Sequence, residues 1–599
     1  MTPYKLKKHL TRKATFYNIN DPCIPAELFT VKNDAPQLDD FPYPLPSAKS
    51  DYTVQAKGNG SVMWYAGKTG LMRFDPDGNC IEDQIMYFSA HRYLPHHAVD
   101  AILPDGTGVW AKCGDGVSHI EFFELTSEEK AEILLKETNN YVMRRGMVSQ
   151  RHLKEDRNYD SRENYAACDN DGLFTSGYAV AEMYHYATLK RELGESAQRT
   201  QDARKNATKA CEACLLLMYI HGRPEGFIAR SYHVKGEPIP NDGIFYKRDG
   251  KTAHCVYTDF AKENGRVGEE VPCDYPIPDR LAALYRDLGY TDDDITYKAD
   301  TSSDEVTGHF LQMKTAHDIL APEDPELDEL IKDACKRTMK HIIEHGFEFC
   351  EASGKPTTWA RWSMNYFKND PIGYVDAPLN SAELLAYLKV TMHITGEKGL
   401  WLETYNRLIA EGYAELGLKH YDRFFQGAMR EGVSPEEDLM YGDNMLALMT
   451  YWMLCTLEKD ETLLKIYRDA FKTWGGMILR EHTPGYDFMF KLGVPDIEID
   501  LEKDAKWFTH FECNRLTASV TTDRHDVALK LGRSREKKNF CEISALLPPN
   551  ERSISKFDRN PYYLIGNYDK GRTIESCYIY TYAYWIGRYY GIIAEEEKL

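Results

Sequence analysis

From about residue 127 onward the chain repeats one pattern: a long helical period, a turn, and a second helical period able to fold back on the first. Apolar residues recurring every three or four positions predict helices at roughly 127–144, 173–194, 198–221, 304–320, 325–346, 380–396, 398–416, 441–458, 460–480, 504–530 and 574–592. Neighbours such as 304–320 with 325–346, and 441–458 with 460–480, read as antiparallel hairpins. Eleven or twelve helices paired in this way predict a mainly α fold: an (α/α)6 toroid, a barrel of helical hairpins with inner and outer rings. An α-solenoid would show a fixed repeat length, and no such period is present.

Ahead of the helices the signals are different. Residues 1 to about 50 are rich in Asn, Asp and Pro and hold no period. From about 51 to 125 two segments resemble one another, Gly60 to Asp75 and Gly106 to Glu121, with Trp64 and Trp110 in equivalent places before a Gly-containing turn. Their spacing is about that of a propeller blade. Two blades cannot close a propeller, so a small N-terminal antiparallel β module packed on the next domain is expected. The domain expectation is therefore 1–125 for the irregular segment and β module, and 126–599 for the toroid. A stretch rich in Gly, Pro and charge, at about 222–303, interrupts the toroid between two inner-helix candidates, where it is expected to wall one side of a cleft.

Composition narrows the partners. The 599 residues carry a formal net charge of -20, which argues against nucleic acid, against anionic membrane surfaces and against sulfated or polyuronic polymers. Forty tyrosines suit a glycan cleft, because Tyr and Trp stack on apolar sugar faces while hydrogen bonding at their edges. No run of about 18 apolar residues and no leader-like core is present, which reads as a cytoplasmic protein. The 14 cysteines form no framework. Cys211 and Cys214 make a single CxxC with no second pair, so reduced thiols are expected, with no metal and no cofactor. A homo-oligomer is left open.

The chemistry is expected at the helix starts. Asp300-Thr-Ser-Ser-Asp-Glu-Val-Thr-Gly-His309 places a Ser302 or Ser303 cap before a helix whose first turns carry Asp304, Glu305 and His309. Similar entries are Cys168-Asp-Asn-Asp-Gly-Leu-Phe-Thr175, Pro378-Leu-Asn-Ser-Ala-Glu383 with Asn380 or Ser381 as cap, Tyr441-Gly-Asp-Asn-Met-Leu446, and Gly571-Arg-Thr-Ile-Glu-Ser576. Inner helices of a toroid run the same way, so these entries would share one face and gather Asp169, Asp171, Asp304, Glu305, Asp443 and Glu575. One acid to protonate a leaving oxygen and one carboxylate to activate water is what glycan hydrolysis needs. A plain cap competes with each of these assignments. Asp169-Asn-Asp171-Gly172 also starts like a calcium loop, but the later ligands are missing. Thr357-Thr-Trp-Ala-Arg-Trp362 offers Trp359, Arg361 and Trp362 for sugar contact, against a purely structural cation–π knot. Arg230, Tyr232 and His233 are the parts of a lyase site, and also a common surface mixture.

Four of these stretches, the Cys168 and Asp300 runs, Thr-Trp-Ala-Arg-Trp362 and Tyr584-Trp-Ile-Gly-Arg-Tyr-Tyr-Gly591, resemble bacterial glycan-active proteins in which two-component-regulator-propeller repeats precede an (α/α)6 toroid. The likeness spans most of residues 51–592 and implies a glycoside hydrolase or polysaccharide lyase layout. The expectation is a glycoside hydrolase on an oligosaccharide, inverting in mechanism, with Asp171, Asp304, Glu305 and Asp443 in proton transfer. Asp169, Arg230, Tyr232, His233, His309, Trp359, Arg361, Trp362 and Tyr441 would bind substrate. An oligosaccharide lyase on the same scaffold is the runner-up, and a non-catalytic glycan-binding protein the third reading.

Overall fold

The computed structural model describes residues 2–163, 169–420, 441–476, 478–517, 524–527, 529–532, 540–543, 546–564 and 571–596. Among these, twelve helices have ten residues or more: α1 Ser127–Glu137, α2 Asp171–Leu193, α3 Gln198–Leu217, α4 Ser303–Ile319, α5 Pro325–Glu344, α6 Pro371–Thr395, α7 Gly399–Ala410, α8 Tyr441–Leu457, α9 Glu461–Gly475, α10 Pro484–Gly493, α11 Leu501–His510 and α12 Tyr578–Tyr589. The even-numbered helices pack in a closed ring, α2 on α4, α4 on α6, α6 on α8, α8 on α10, α10 on α12, and α12 back on α2. Aromatic pairs mark the seams. Phe310 stacks on Tyr387 at 4.4 Å, and Phe174 on Tyr578 at 5.2 Å. The odd-numbered helices lie outside them. For example α9 reaches α10 through Phe471 and Phe490, and α11 reaches α10 and α12 through Phe508 against Phe488 and Tyr580. The chain is therefore mainly α, an (α/α)6 toroid preceded by a small antiparallel β module.

The two rings differ in sequence for a physical reason. Outer helix α5 buries Leu327, Ile331, Ala334, Cys335, Thr338, Met339 and Ile342, one stripe at helical spacing, and leaves its other face to water. Inner helix α2 is buried on every face from Asp171 to Tyr186, so its polar members must find partners inside the protein.

Three helix boundaries depart from expectation. Helix α6 begins at Pro371, capped by Asp370 on the Ile372 and Gly373 amides, and runs through Pro378 instead of starting after it. Helix α10 was not foreseen at all. Its Pro-Gly-Tyr-Asp-Phe-Met-Phe composition is poor in intrinsic helix formers, and burial against α8 and α12 overrides that deficit. The long period at 504–530 reduces to α11 among the described residues.

The β module consists of two four-stranded antiparallel sheets. One is a meander of Tyr52–Lys57, Met63–Gly67, Gly70–Phe74 and Ile85–Phe88. The other orders His9–Asn18, Gly116–Leu125, Gly108–Cys113 and Ala101–Asp105. They share one core, built from Trp64, Phe88, Tyr93, Ile102, Val109 and Phe122 among others. The repeat thus builds two facing sheets, and the two tryptophans are not equivalent in space. Trp64 points into the shared core, whereas Trp110 lies on the far face with Ile24 and Leu28, stacked on His119 at 4.0 Å. The 222–303 stretch is also ordered, around a five-stranded antiparallel sheet of Ser231–Val234, Ile295–Lys298, Phe245–Asp249, Thr252–Cys255 and Glu270–Pro272. A strand at Tyr4–Leu6 pairs in parallel with Ile593–Glu595.

Candidate active site

The starts of the inner helices meet at one face of the ring. Glu305, in the first turn of α4, reaches the first turn of α2, where its Oε2 accepts the Leu173 amide at 2.8 Å. One residue earlier, Asp304 stays in part-contact with solvent. Burial raises the Asp304 carboxyl; Arg230 opposes that rise, while Asp558 and Asp169 reinforce it. No described side chain hydrogen-bonds it.

Glu383 lies in the fourth turn of α6 with no solvent contact. Trp362 Nε1 donates to its Oε2 at 2.8 Å, and Thr307 Oγ1 to its Oε1 at 3.1 Å. Burial pushes its carboxyl up to about 8; the charges of Asp304 and Asp443 add to that rise, and the Trp362 and Thr307 hydrogen bonds oppose it. The charges of Asp304 on α4 and Asp443 on α8 are thus both felt by Glu383 on α6. Asp443 is half-buried in the first turn of α8. Tyr441, beside it, is buried and donates its hydroxyl to Glu481, just ahead of α10. Glu575, just ahead of α12, is buried within 3.6 Å of Lys556, whose ammonium lies 4.6 Å from the Phe174 ring of α2.

The remaining sequence candidates have other surroundings. Asp171 is buried, and its Oδ2 is held by Arg144 Nη2 at 2.6 Å and by the Ser231 hydroxyl. It is a scaffold ion pair between α2 and the five-stranded sheet. Glu305 has no solvent contact, and burial raises its carboxyl well above the usual range. His309 is sealed, with Nδ1 at 2.8 Å from the Glu305 carbonyl and Nε2 at 3.1 Å from the Cys214 carbonyl. The expectation of substrate contact at His309 is corrected by this packing.

The same correction applies to Tyr232, His233 and Trp362. Tyr232 and His233 sit on a strand whose two faces are both covered, and the Tyr232 hydroxyl accepts Arg145 Nε at 3.2 Å. Trp362 is fully buried, and its polar edge serves Glu383. Arg361 bonds Glu348 at 2.7 Å and lies 4.2 Å over Tyr366, the cation–π knot of the alternative reading. Trp359 is 46% exposed. The preceding Thr358 is anchored to Asp300 at the entry to α4, so the indole stands near the rim of the carboxylate group. Asp169 is exposed and paired with Lys298, and Arg230 Nε donates to the Asp169 carbonyl at 2.6 Å. Cys168 lies outside the described residues.

Sequence reasoning missed Glu383 and Arg144 as site members. Once α6 is placed from Pro371, the run Asn380-Ser-Ala-Glu383 stands out as polar side chains inside an otherwise apolar helix. The larger surface cavities, about 890 Å³ beside Arg145, Tyr186 and Arg280 and about 880 Å³ beside His91, His96 and Tyr159, share no lining residue with the carboxylate group.

No protein-family model matches the chain, and no curated protein sequence matches it. Among solved structures it is similar to a Bacteroides ovatus GH9 structure, at 9% identity and a TM-score of 0.34, over 89% of this chain and 96% of that one. It is also similar to the GH family 9 endoglucanase J30, at 11% identity and a TM-score of 0.36, over 87% and 93% of the two chains. Among the described residues, no helix is long and apolar enough to cross a membrane.

Proposed function

We propose that the protein is a glycoside hydrolase acting on a neutral oligosaccharide at the face where the inner helices begin. Asp304 serves as general acid and Asp443 as the carboxylate that activates water. The observation that carries this reading is the shared centre: Asp304 and Asp443 come from α4 and α8, and both act on Glu383 of the intervening α6. Asp304 keeps solvent contact while its carboxyl is raised, the condition a proton donor at neutral pH requires. Glu383, held neutral, anchors Trp362 and Thr307 and positions the two aspartates. Trp359 supplies an exposed ring for a sugar face. The net charge of -20 favours an uncharged glycan over a polyanion.

One feature speaks against elimination. A lyase base at Tyr232 would need an accessible phenol with a lowered pKa, whereas this phenol is buried and its pKa is raised by that burial. The described cysteines are free thiols, in keeping with the proposed cytoplasmic setting. The deciding experiment is a screen of neutral oligosaccharides with products resolved by mass. Hydrolysis adds one water to the products and elimination adds none. Turnover that survives unchanged in both Asp304→Asn and Asp443→Asn overturns the assignment.

A further inference from the structure

Where the β module meets the toroid, three potential metal ligands converge. Cys80 is the N-cap of the short helix Ile81–Gln84, and Asp83 stands one turn along the same helix, with its amide bonded to the Cys80 carbonyl at 3.0 Å. That i, i+3 spacing puts thiol and carboxylate on one face. His510, the last residue of α11, comes from the other side. The Cys80 thiol, an Asp83 oxygen and a His510 ring nitrogen all lie within 4.8 Å of one another.

The arrangement around His510 selects the ring nitrogen that faces the group. Nδ1 is placed 2.9 Å from the Lys506 carbonyl one turn back, so it carries the proton. In the metal-free protein Nε2 donates to Asp83 Oδ1 across 3.0 Å, and a metal ion would take the place of that proton between the same two atoms. A histidine whose far nitrogen is fixed by a backbone carbonyl is the usual form of a metal-bound imidazole. In a tetrahedral zinc site with bonds of about 2.0–2.3 Å, neighbouring donors are about 3.3–3.7 Å apart. Small side-chain rotations reach that spacing from the present one.

A candidate for the fourth donor lines the same cavity. Cys80, Asp83 and His510 line a cavity of about 650 Å³ whose wall also includes His9. The Nε2 of His9 is buried and has no hydrogen-bond partner. Charges on the wall are mixed; Arg73 is already paired with Asp75 at 2.8 Å.

We infer that Cys80, Asp83 and His510, with His9 as fourth ligand, form a site for a tetrahedral divalent transition-metal ion of the zinc type, which clasps the β module to helix α11. Thiolate, carboxylate and two imidazoles are a donor set that zinc accepts and that magnesium and calcium do not favour. Binding releases the Cys80 thiol proton to solvent as the metal–sulfur bond forms. The site is remote in chemistry and sequence from the Asp304 group and does not depend on the proposed hydrolase activity.

The test is titration of the chelator-treated full chain with Zn²⁺ alone, followed by calorimetry, with Co²⁺ as the spectroscopic probe. One equivalent should bind with Kd below about 1 µM. Cys80→Ser and His510→Ala should each weaken binding at least about tenfold, and Cys80→Ser should abolish the thiolate-to-cobalt absorption band. Cys80 is only partly buried, so its serine variant should keep the circular dichroism and melting temperature of the metal-free parent. Absence of a stoichiometric site in the parent, or equal affinity and an unchanged cobalt band in folded Cys80→Ser, overturns the inference.

Discussion

Trp362 Nε1 and Glu383 Oε2 lie 2.8 Å apart, and neither side chain has any solvent contact. The pair couples the strand at Pro356–Arg361 to inner helix α6. Removing the donor with Trp362→Phe leaves a buried carboxyl short of a partner and should destabilise the fold by about 1–3 kcal/mol. Chemical denaturation at pH 7 measures it.

The raised Glu383 carboxyl has a signed consequence. Its folded value of about 8 exceeds the ordinary carboxylate value, so the folded state holds this proton more tightly than the unfolded chain. The stabilisation is complete below the unfolded value and is lost as pH rises through about 8. Glu383→Gln should therefore be close to neutral for stability at pH 6 and stabilising relative to the parent at pH 9. Melting curves across that range check the sign.

Asp304→Asn and Asp443→Asn should each lower kcat by about 10²–10⁴ with little change in melting temperature, since both are part-exposed. Asp171→Asn should behave in the opposite way. It removes the near carboxylate of buried Arg144 and leaves it only Glu237 at 3.7 Å, which should cost about 1–3 kcal/mol. Comparing turnover with melting temperature for the three variants separates proton transfer from scaffold.

Gly172 is required by its surroundings. A Cβ there would lie 2.2 Å from Glu305 Oε2 and 2.7 Å from His309 Cε1. Gly172→Ala should destabilise by about 1–3 kcal/mol. The double variant with Glu305→Ala should lose less than the two single losses combined, because the clash and the truncated group are the same.

Asp487 of α10 and Asp504 of α11 face each other in the wall between the rings, buried and interacting through their carboxyl groups. Burial raises both carboxyls, so the pair favours the protonated form in the folded state. Stability from this pair is full below about pH 4 and falls as pH climbs through the raised values. Asp504→Asn should flatten that decline, giving a variant more resistant than the parent to denaturation at pH 9.

The helical frame was legible because periodicity records burial. Outer helix α5 shows one apolar stripe, and its observed ends, Pro325 and Glu344, match the expected 325–346 closely, whereas α1, α7 and α11 stop well short of the ends expected for them. Helix α6 shows where that reading fails. Pro378 reads as a boundary, but packing carries the helix through it and moves Glu383 from a supposed entry to the fourth turn. The convergence of helix starts followed from toroid geometry, while the division of labour among the acids did not. Asp171 and Asp304 look alike as acids at helix starts, and only the fold brings Arg144 to one and leaves the other open. The β repeat was visible, yet Trp64 and Trp110 face opposite sides, a distinction carried by how the two sheets stack.

Helix α12 fills the gap between α10 and α2, and its seam with α2 joins residues as far as 406 apart, Tyr184 and Tyr590. Until α12 arrives, α2 has one apolar flank open to water. Loop closure over that distance sets a slow kinetic gate, and partly folded chains should expose this flank. Assembly of the ring is thus the step most open to capture by chaperones or to aggregation.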